Sequence, residues 1–299
     1  MVKPGTAALA AAAWMMGAVV SFSLMALSGR EALIQLDTFE LMLYRSLIGI
    51  IIVLTMGGIA GTLGQINLQN MKLHITRNLF HFAGQNLWFY ALALIPFAQV
   101  FALEFSFPIW VALAAPLLLG EKLTKPRIFT AIVGFAGVLV VTRPGMATFD
   151  FGVLAGALCA IGFAGSYIYT KMLTRVTSVI CILFWMSVIQ AILGLMFAVL
   201  DGEIPIPELA TMIWLVVITF TGLSAHYCIT KALKLAPAII VAPLDFLRLP
   251  LIAVIGMLFY GEIIDIFIIT GAILIVCANY ANVYWENKQQ KRMLATNGK

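Results

Sequence analysis

The sequence predicts an all-α integral membrane protein of ten transmembrane helices, built as two inverted five-helix repeats with both termini cytoplasmic. Three observations predict this: the composition, the spacing of the apolar runs and a self-match at one fixed offset. Hydrophobic residues make up 63% of the 299 positions and charged residues 10%, whereas soluble domains carry about 25% charged residues. Runs of about 20 apolar residues, enough to cross a hydrocarbon core of roughly 30 Å as a helix, fall at residues 6–27, 38–58, 71–94, 97–119, 126–141, 151–171, 179–200, 208–230, 238–260 and 263–284. The connections are short, with Ile95-Pro96 between the third and fourth spans and Gly261-Glu262 between the ninth and tenth, and a polar tail follows from Trp285.

The first span opens "MVKPGTAALAAAAWMM", which resembles a signal peptide with its basic residue ahead of small apolar ones. Its apolar run continues to Leu27 and supplies the first of an even number of crossings, so it reads as an uncleaved span. The second span carries Glu40 and Arg45, five apart and on different faces. A structural salt bridge is expected for Arg45, to Glu40 or to another helix. In the third span, "RNLFHFAGQNLWFY" puts His81, Gln85 and Trp88 on one helical face, with Arg77 continuing the stripe nearer the inner end, where it has the reach to snorkel. The fourth and ninth spans hold Glu104 and the pair Asp245 and Arg248, with prolines at 108 and 116 in the fourth and at 243 and 250 in the ninth. Cys159, Cys181, Cys228 and Cys277 lie inside spans without C-x-x-C spacing, so neither a disulfide framework nor a zinc site is indicated.

Positive charge sets the orientation. With the N-terminus inside, thirteen basic residues, from Lys3 through Lys72, Lys122, Lys171 and Lys231 to Lys299, fall on the inner side, and only Arg30 and Arg143 on the outer. The remaining three, Arg45, Arg77 and Arg248, lie within spans. The basic balance is thus a consequence of topology, and no nucleic-acid partner is implied.

Shifted by 141 positions, "ALALIPFAQVFALEFSFPIW" lies over "ALKLAPAIIVAPLDFLRLPL", pairing Pro96 with Pro237 and Glu104 with Asp245. The same shift pairs Gly120-Glu121 with Gly261-Glu262 and Gln85 with His226. Five crossings per copy force the second copy upside down, and lysines appear in each matched loop only where it falls inside. Residues 1–145 form the first repeat, 146–287 the second, and 288–299 a cytoplasmic tail. Inverted repeats are a common build of secondary transporters, which bind near the membrane midplane.

"FELMLYRSLIG", the hairpin ending "FSFPIWVALAAPLLLGEKLTKPRI" and the following "GFAGVLVVTRPG" resemble the EamA-type branch of the drug/metabolite transporter superfamily. The resemblance covers nearly the whole chain. It implies ten helices around a central cavity lined by helices 1, 3, 4, 6, 8 and 9, and a proton-linked or exchange-type carrier of small organic solutes in the inner membrane. "FELMLYRS" is also similar to the S-adenosylmethionine carriers of that superfamily.

Counting 1.5 Å per residue from Pro96 and Pro237, Glu104 and Asp245 each lie about 12 Å deep from opposite faces and straddle the midplane. Ionisable groups there mark pathways or binding sites and need partners. Two readings of Asp245 and Arg248 stand: a self-neutralising structural pair, or a binding pair in which Arg248 takes an anionic group while Glu104 or Asp245 faces a cationic group or carries a coupling proton. The substrate-binding candidates are Glu104, Asp245, Arg248, His81, Gln85, Trp88, His226, Trp110 and Tyr167. No H-x-x-x-H, clustered carboxylates or nucleophile elbow suggests an enzyme, and no metal or cofactor is implied. The expected partners are the lipid bilayer, a coupling proton, a second copy in a homodimer and a small zwitterionic or amphipathic solute such as an amino acid or S-adenosylmethionine. An aromatic or neutral metabolite such as riboflavin is the alternative.

Overall fold

The computed structural model describes residues 4–119, 125–143, 150–201, 204–235, 244–245, 247–263 and 265–297. Among them the regular structure is entirely helical: α1 (Pro4–Ala32), α2 (Thr38–Ile59), α3 (Met71–Leu94), α4 (Phe97–Glu104), α5 (Phe107–Leu119), α6 (Lys125–Thr142), α7 (Phe151–Leu173), α8 (Val179–Ala198), α9 (Leu209–Leu235), α10 (Arg248–Tyr260) and α11 (Ile266–Asn297), with short 3₁₀ turns after α2 and α8. Among the described residues five stretches are long and apolar enough to cross a membrane: Leu9–Ala32, Thr38–Ile59, Phe151–Leu173, Val179–Ala198 and Leu209–Ile229. α3 is as long but less apolar, because it carries His74, Arg77, Asn78, His81, Gln85 and Asn86.

Two elements differ from the sequence-based expectation. The fourth span, read as one helix over 97–119, breaks at Phe105-Ser106 into α4 and α5. Pro108 is the cause, since its ring clashes with the carbonyl four residues earlier, that of Glu104. The Phe105 carbonyl freed near the break accepts from Asn279 Nδ2 of α11 at 2.6 Å, and Ser106 Oγ donates to the Leu103 carbonyl at 2.7 Å. Irregular backbone at membrane depth persists only where neighbours satisfy it in this way. The polar tail is also helical, because α11 runs on to Asn297 through good helix formers. In the ninth span, residues 236–243 and 246 lie outside the described residues.

The helices pack in pairs, α1 on α9, α3 on α7, α2 on α8, α6 on α11 and α4 on α10. Exchanging the two halves of the chain turns the first pair into the second and leaves the other three unchanged. Lipid supplies no hydrophobic drive to helix pairing, so small residues bring backbones together. A Cβ on Gly162 of α7 would meet Gly84 Cα of α3 at 2.6 Å, and one on Gly194 of α8 would lie 2.9 Å from the Leu43 backbone of α2.

Arg30 at the end of α1 ties one rim of the bundle. Its Nε donates to the Leu92 carbonyl and its Nη2 to the Ile95 carbonyl, both at 2.6 Å, while Nη1 pairs with Glu262. Glu262 Oε2 accepts from the Phe97 amide at 2.9 Å, capping the first turn of α4. Tyr260 donates to Glu31 alongside. Glu262 therefore caps α4, and Gly261 turns the chain into it at φ +62°. The matched Glu121 lies outside the described residues. Gly162→Val is expected to force α3 and α7 apart and destabilise the protein by about 1–3 kcal/mol, measured as a lower Tm in detergent; an unchanged Tm would refute the close packing.

Candidate functional site

Three charged side chains meet at the helix break. Glu104 is the last residue of α4, and Arg248, the first of α10, lies one turn after Asp245. Arg248 Nη2 donates to Asp245 Oδ2 at 2.7 Å, and Nη1 donates to Glu104 Oε1 at 3.4 Å. One guanidinium thereby bridges carboxylates from the two halves of the chain. Trp88 Nε1 of α3 donates to Glu104 Oε2 at 2.8 Å and fixes the carboxylate from the other side. The Arg248 guanidinium also lies over three rings, 4.6 Å from Phe22, 4.8 Å from Phe105 and 5.6 Å from Phe101, a cation–π setting that favours charge in a dry interior.

Arg248 is 4% exposed and Glu104 9%. Asp245 Oδ1 and Arg248 Nε make no hydrogen bond among the described residues. The triad holds two carboxylates against one guanidinium. With both carboxylates ionised it keeps one negative charge in excess, which a proton or a cationic group of a bound solute would balance.

The remaining candidates divide. Gln85 Oε1 accepts from Arg45 Nη1 at 2.5 Å. His81 Nδ1 lies 3.3 Å from Ser166 Oγ of α7, and its ring is tilted against Phe163. His226 of α9 meets the edge of Phe22 at 5.7 Å, so the Phe22 ring joins it to Arg248. The His226 side chain has open surface and lies one turn after Gly222, where Arg45 Nη2 approaches α9. Trp110 packs edge-on to Phe135 of α6, and Tyr167 is 54% exposed beside Phe107. The structure does not bring these two aromatics to the triad.

Two sequence expectations are overturned. Arg45 does not pair with Glu40, which instead closes a capping box with Asp37: Glu40 N donates to Asp37 Oδ1 at 2.7 Å and Asp37 N to Glu40 Oε2 at 2.9 Å. Arg77 does not snorkel to the rim. It is 5% exposed, with Nε donating to Thr170 Oγ1 at 3.1 Å and Nη1 to Asn78 Oδ1 at 3.0 Å. The four-residue spacing of Arg77, His81 and Gln85 was the signal for this placement, and only Arg77's nearness to the inner end of its helix argued otherwise.

Apolar helices enclosing a charged interior define a multi-pass membrane transporter. The chain matches the EamA-like transporter family over residues 9–143 and again over 150–284, and it belongs to that family. It is 34% identical to a riboflavin transporter of Brucella anthropi over 219 residues, 72% of this chain and 77% of that one. It is 25% identical over 281 residues to an S-adenosylmethionine uptake transporter of Rickettsia bellii, 94% of this chain and 96% of that one. A riboflavin transporter of Vibrio cholerae is 27% identical over 290 residues, 95% of this chain and 96% of that one. A crystal structure 18% identical in sequence shares the fold with a TM-score of 0.62, covering 93% of this chain and 98% of that one.

Arg248→Leu leaves the buried Glu104 and the half-buried Asp245 without their cation and is expected to cost about 3–5 kcal/mol, seen as a large fall in Tm. Adding Asp245→Asn should recover part of that loss without recovering transport. Full transport in the double variant would show the triad to be purely structural.

Proposed function

We propose that the protein is a secondary active transporter that moves a small zwitterionic or amphipathic metabolite across the membrane by alternating access. In this reading the chain spans the membrane ten times with both termini cytoplasmic. The inverted repeats 1–145 and 146–287 rock about a site at their junction. The observation that carries the reading is the Glu104–Arg248–Asp245 triad, in which one guanidinium is shared by a carboxyl group from each half, two acidic groups against one basic one. A motion that separates the halves has to lengthen or break one of these pairs. A cationic group or a proton that takes the place of the guanidinium beside Glu104 offsets that cost in one state more than in the other. This difference between states is what couples a ligand to a conformational change.

The excess carboxylate suits an ammonium or sulfonium centre. The S-adenosylmethionine uptake transporters among the relatives, matched over nearly their full length, favour that class. A second reading, an aromatic solute such as riboflavin, is supported by the higher identity to a riboflavin transporter and by the Phe22 ring lying between His226 and Arg248. The Arg30–Glu262 and Tyr260–Glu31 contacts tie the α1 end to the α10–α11 turn, and these are the contacts an opening at that rim has to release.

Counterflow in proteoliposomes loaded with unlabelled S-adenosylmethionine, amino acids or riboflavin tests the reading. Trans-stimulated uptake is expected for one class. Glu104→Gln, which keeps the shape of the side chain but not its proton, is expected to remove the pH dependence of uptake while the protein still elutes as folded. Uptake without trans-stimulation would point to a channel, and an intact pH profile in Glu104→Gln would exclude it as the proton site.

A further inference from the structure

The interior holds a second charged group that the triad does not use. Arg45 of α2 meets α3 at Gln85, on the same face as Arg77 with His81 between them, and its Nη2 also approaches α9 at Gly222, one turn before His226. Neither guanidinium is within ion-pair distance of a carboxylate among the described residues. Arg45 bonds Gln85 Oε1 and the sulfur of Met42, and Arg77 bonds Thr170 Oγ1 and Asn78 Oδ1. All of these partners are neutral. Other neutral hydrogen-bonding groups surround the pair: Gln190 Nε2 lies 3.5 Å from Asn78 Oδ1, and Gln190 lines a small cavity with Arg45, Ser46, Ser187 and Thr219. One turn before Arg77 and Asn78, His74 is fully buried, and neither ring nitrogen is hydrogen bonded among the described residues.

Guanidinium does not lose its proton in proteins, so two of them in a bundle interior keep a mutual repulsion and a desolvation cost that neutral partners offset only in part. An arginine fork matches carboxylate and phosphate oxygens bidentately. Arg77, His81 and Gln85 lie on successive turns of one face of α3, and Arg45 reaches that face from α2 at Gln85. An anion beside His81 would lie between the two arginines.

We propose that Arg45 and Arg77 form an anion-binding subsite, flanked by His81 and His226, that takes the carboxylate or phosphate group of the transported solute. The proposal rests on the transporter reading and deepens it. The triad, with its excess carboxylate, receives the cationic end of the solute, and the arginine pair receives the anionic end. His226 touches the Phe22 ring that lies under Arg248 and follows Gly222, which Arg45 Nη2 approaches, by one turn, so it lies between the two.

The test uses the purified full chain in detergent, titrated with sodium phosphate and with sodium malonate at constant ionic strength in chloride, and followed by thermal shift. A saturable rise in Tm is expected in the wild type. It should persist in Glu104→Gln and vanish in Arg45→Gln and Arg77→Gln. If a glutamine variant fails to fold, Arg45→Lys and Arg77→Lys keep the charge but lose the fork, and their affinity is expected to fall about tenfold or more. No saturable shift in the wild type, or a shift that survives undiminished in all four arginine variants, overturns the subsite. Counterflow on the same preparations separates the two ideas. Transport without anion binding leaves the carrier and removes the subsite, whereas anion binding without transport of any solute leaves the subsite and removes the carrier.

Discussion

A carboxylate inside an apolar helix bundle cannot be left to itself, and much of the architecture follows from holding Glu104 there. Charges within membrane-spanning segments cost a few kcal/mol even on the most lenient scales. Glu104 is met by Arg248 across the junction of the halves and by the Trp88 indole from α3, and Arg248 is met in turn by Asp245 and by three phenylalanine rings. The break after Glu104 belongs to the same arrangement. Pro108 ends α4 where its last carboxylate is needed, and Asn279 and Ser106 satisfy the backbone around the break. These groups come from α1, α3, α4, α10 and α11, so the site and the packing of the bundle are one structure.

The packing itself rests on backbone proximity, because lipid is as apolar as leucine and gives helices no reason to associate through it. Gly84 against Gly162 and Leu43 against Gly194 bring helices from opposite halves close enough for side-chain hydrogen bonds to cross. Arg77 reaches Thr170, and His81 reaches Ser166, across the α3–α7 contact. Close packing therefore does more than stabilise: it delivers neutral partners to buried charges.

The helical fold and the duplication were legible in the sequence, since apolar length and a repeat at one offset are global signals that a local exception does not erase. The helix break was only half legible. Pro108 was visible, but a proline in a membrane helix kinks as readily as it interrupts, and only the partners on α11 decide which. Glu104, Asp245 and Arg248 were legible because charge in an apolar run stands out. Their arrangement was not, because a three-residue spacing points Arg248 toward Asp245 and says nothing of Glu104, 144 positions away. Arg45 was misread for the same reason. Sequence offers the nearest carboxylate, Glu40, whereas the helix end at Asp37 claims Glu40 first. Trp110 and Tyr167 were placed by residue type alone, and residue type does not fix which side of a helix faces the interior.

The duplication also explains why the charges are distributed unevenly. At the repeat offset Arg45 corresponds to Met186, Arg77 to Ile218, His81 to Gly222 and Phe107 to Arg248. The fold copies the backbone, but at each of these four matched positions only one of the two halves carries a charge or an imidazole. Met186 lines the same small cavity as Arg45, and Gly222 lies where Arg45 Nη2 approaches α9, a Cβ there falling 3.8 Å from it. In both places the second half supplies space or an apolar wall where the first supplies a cation. A symmetric pair of halves would put like charges face to face around the axis. Divergence at these positions gives a duplicated scaffold an interior with chemically distinct ends, and the proposed recognition of a two-ended solute rests on that asymmetry.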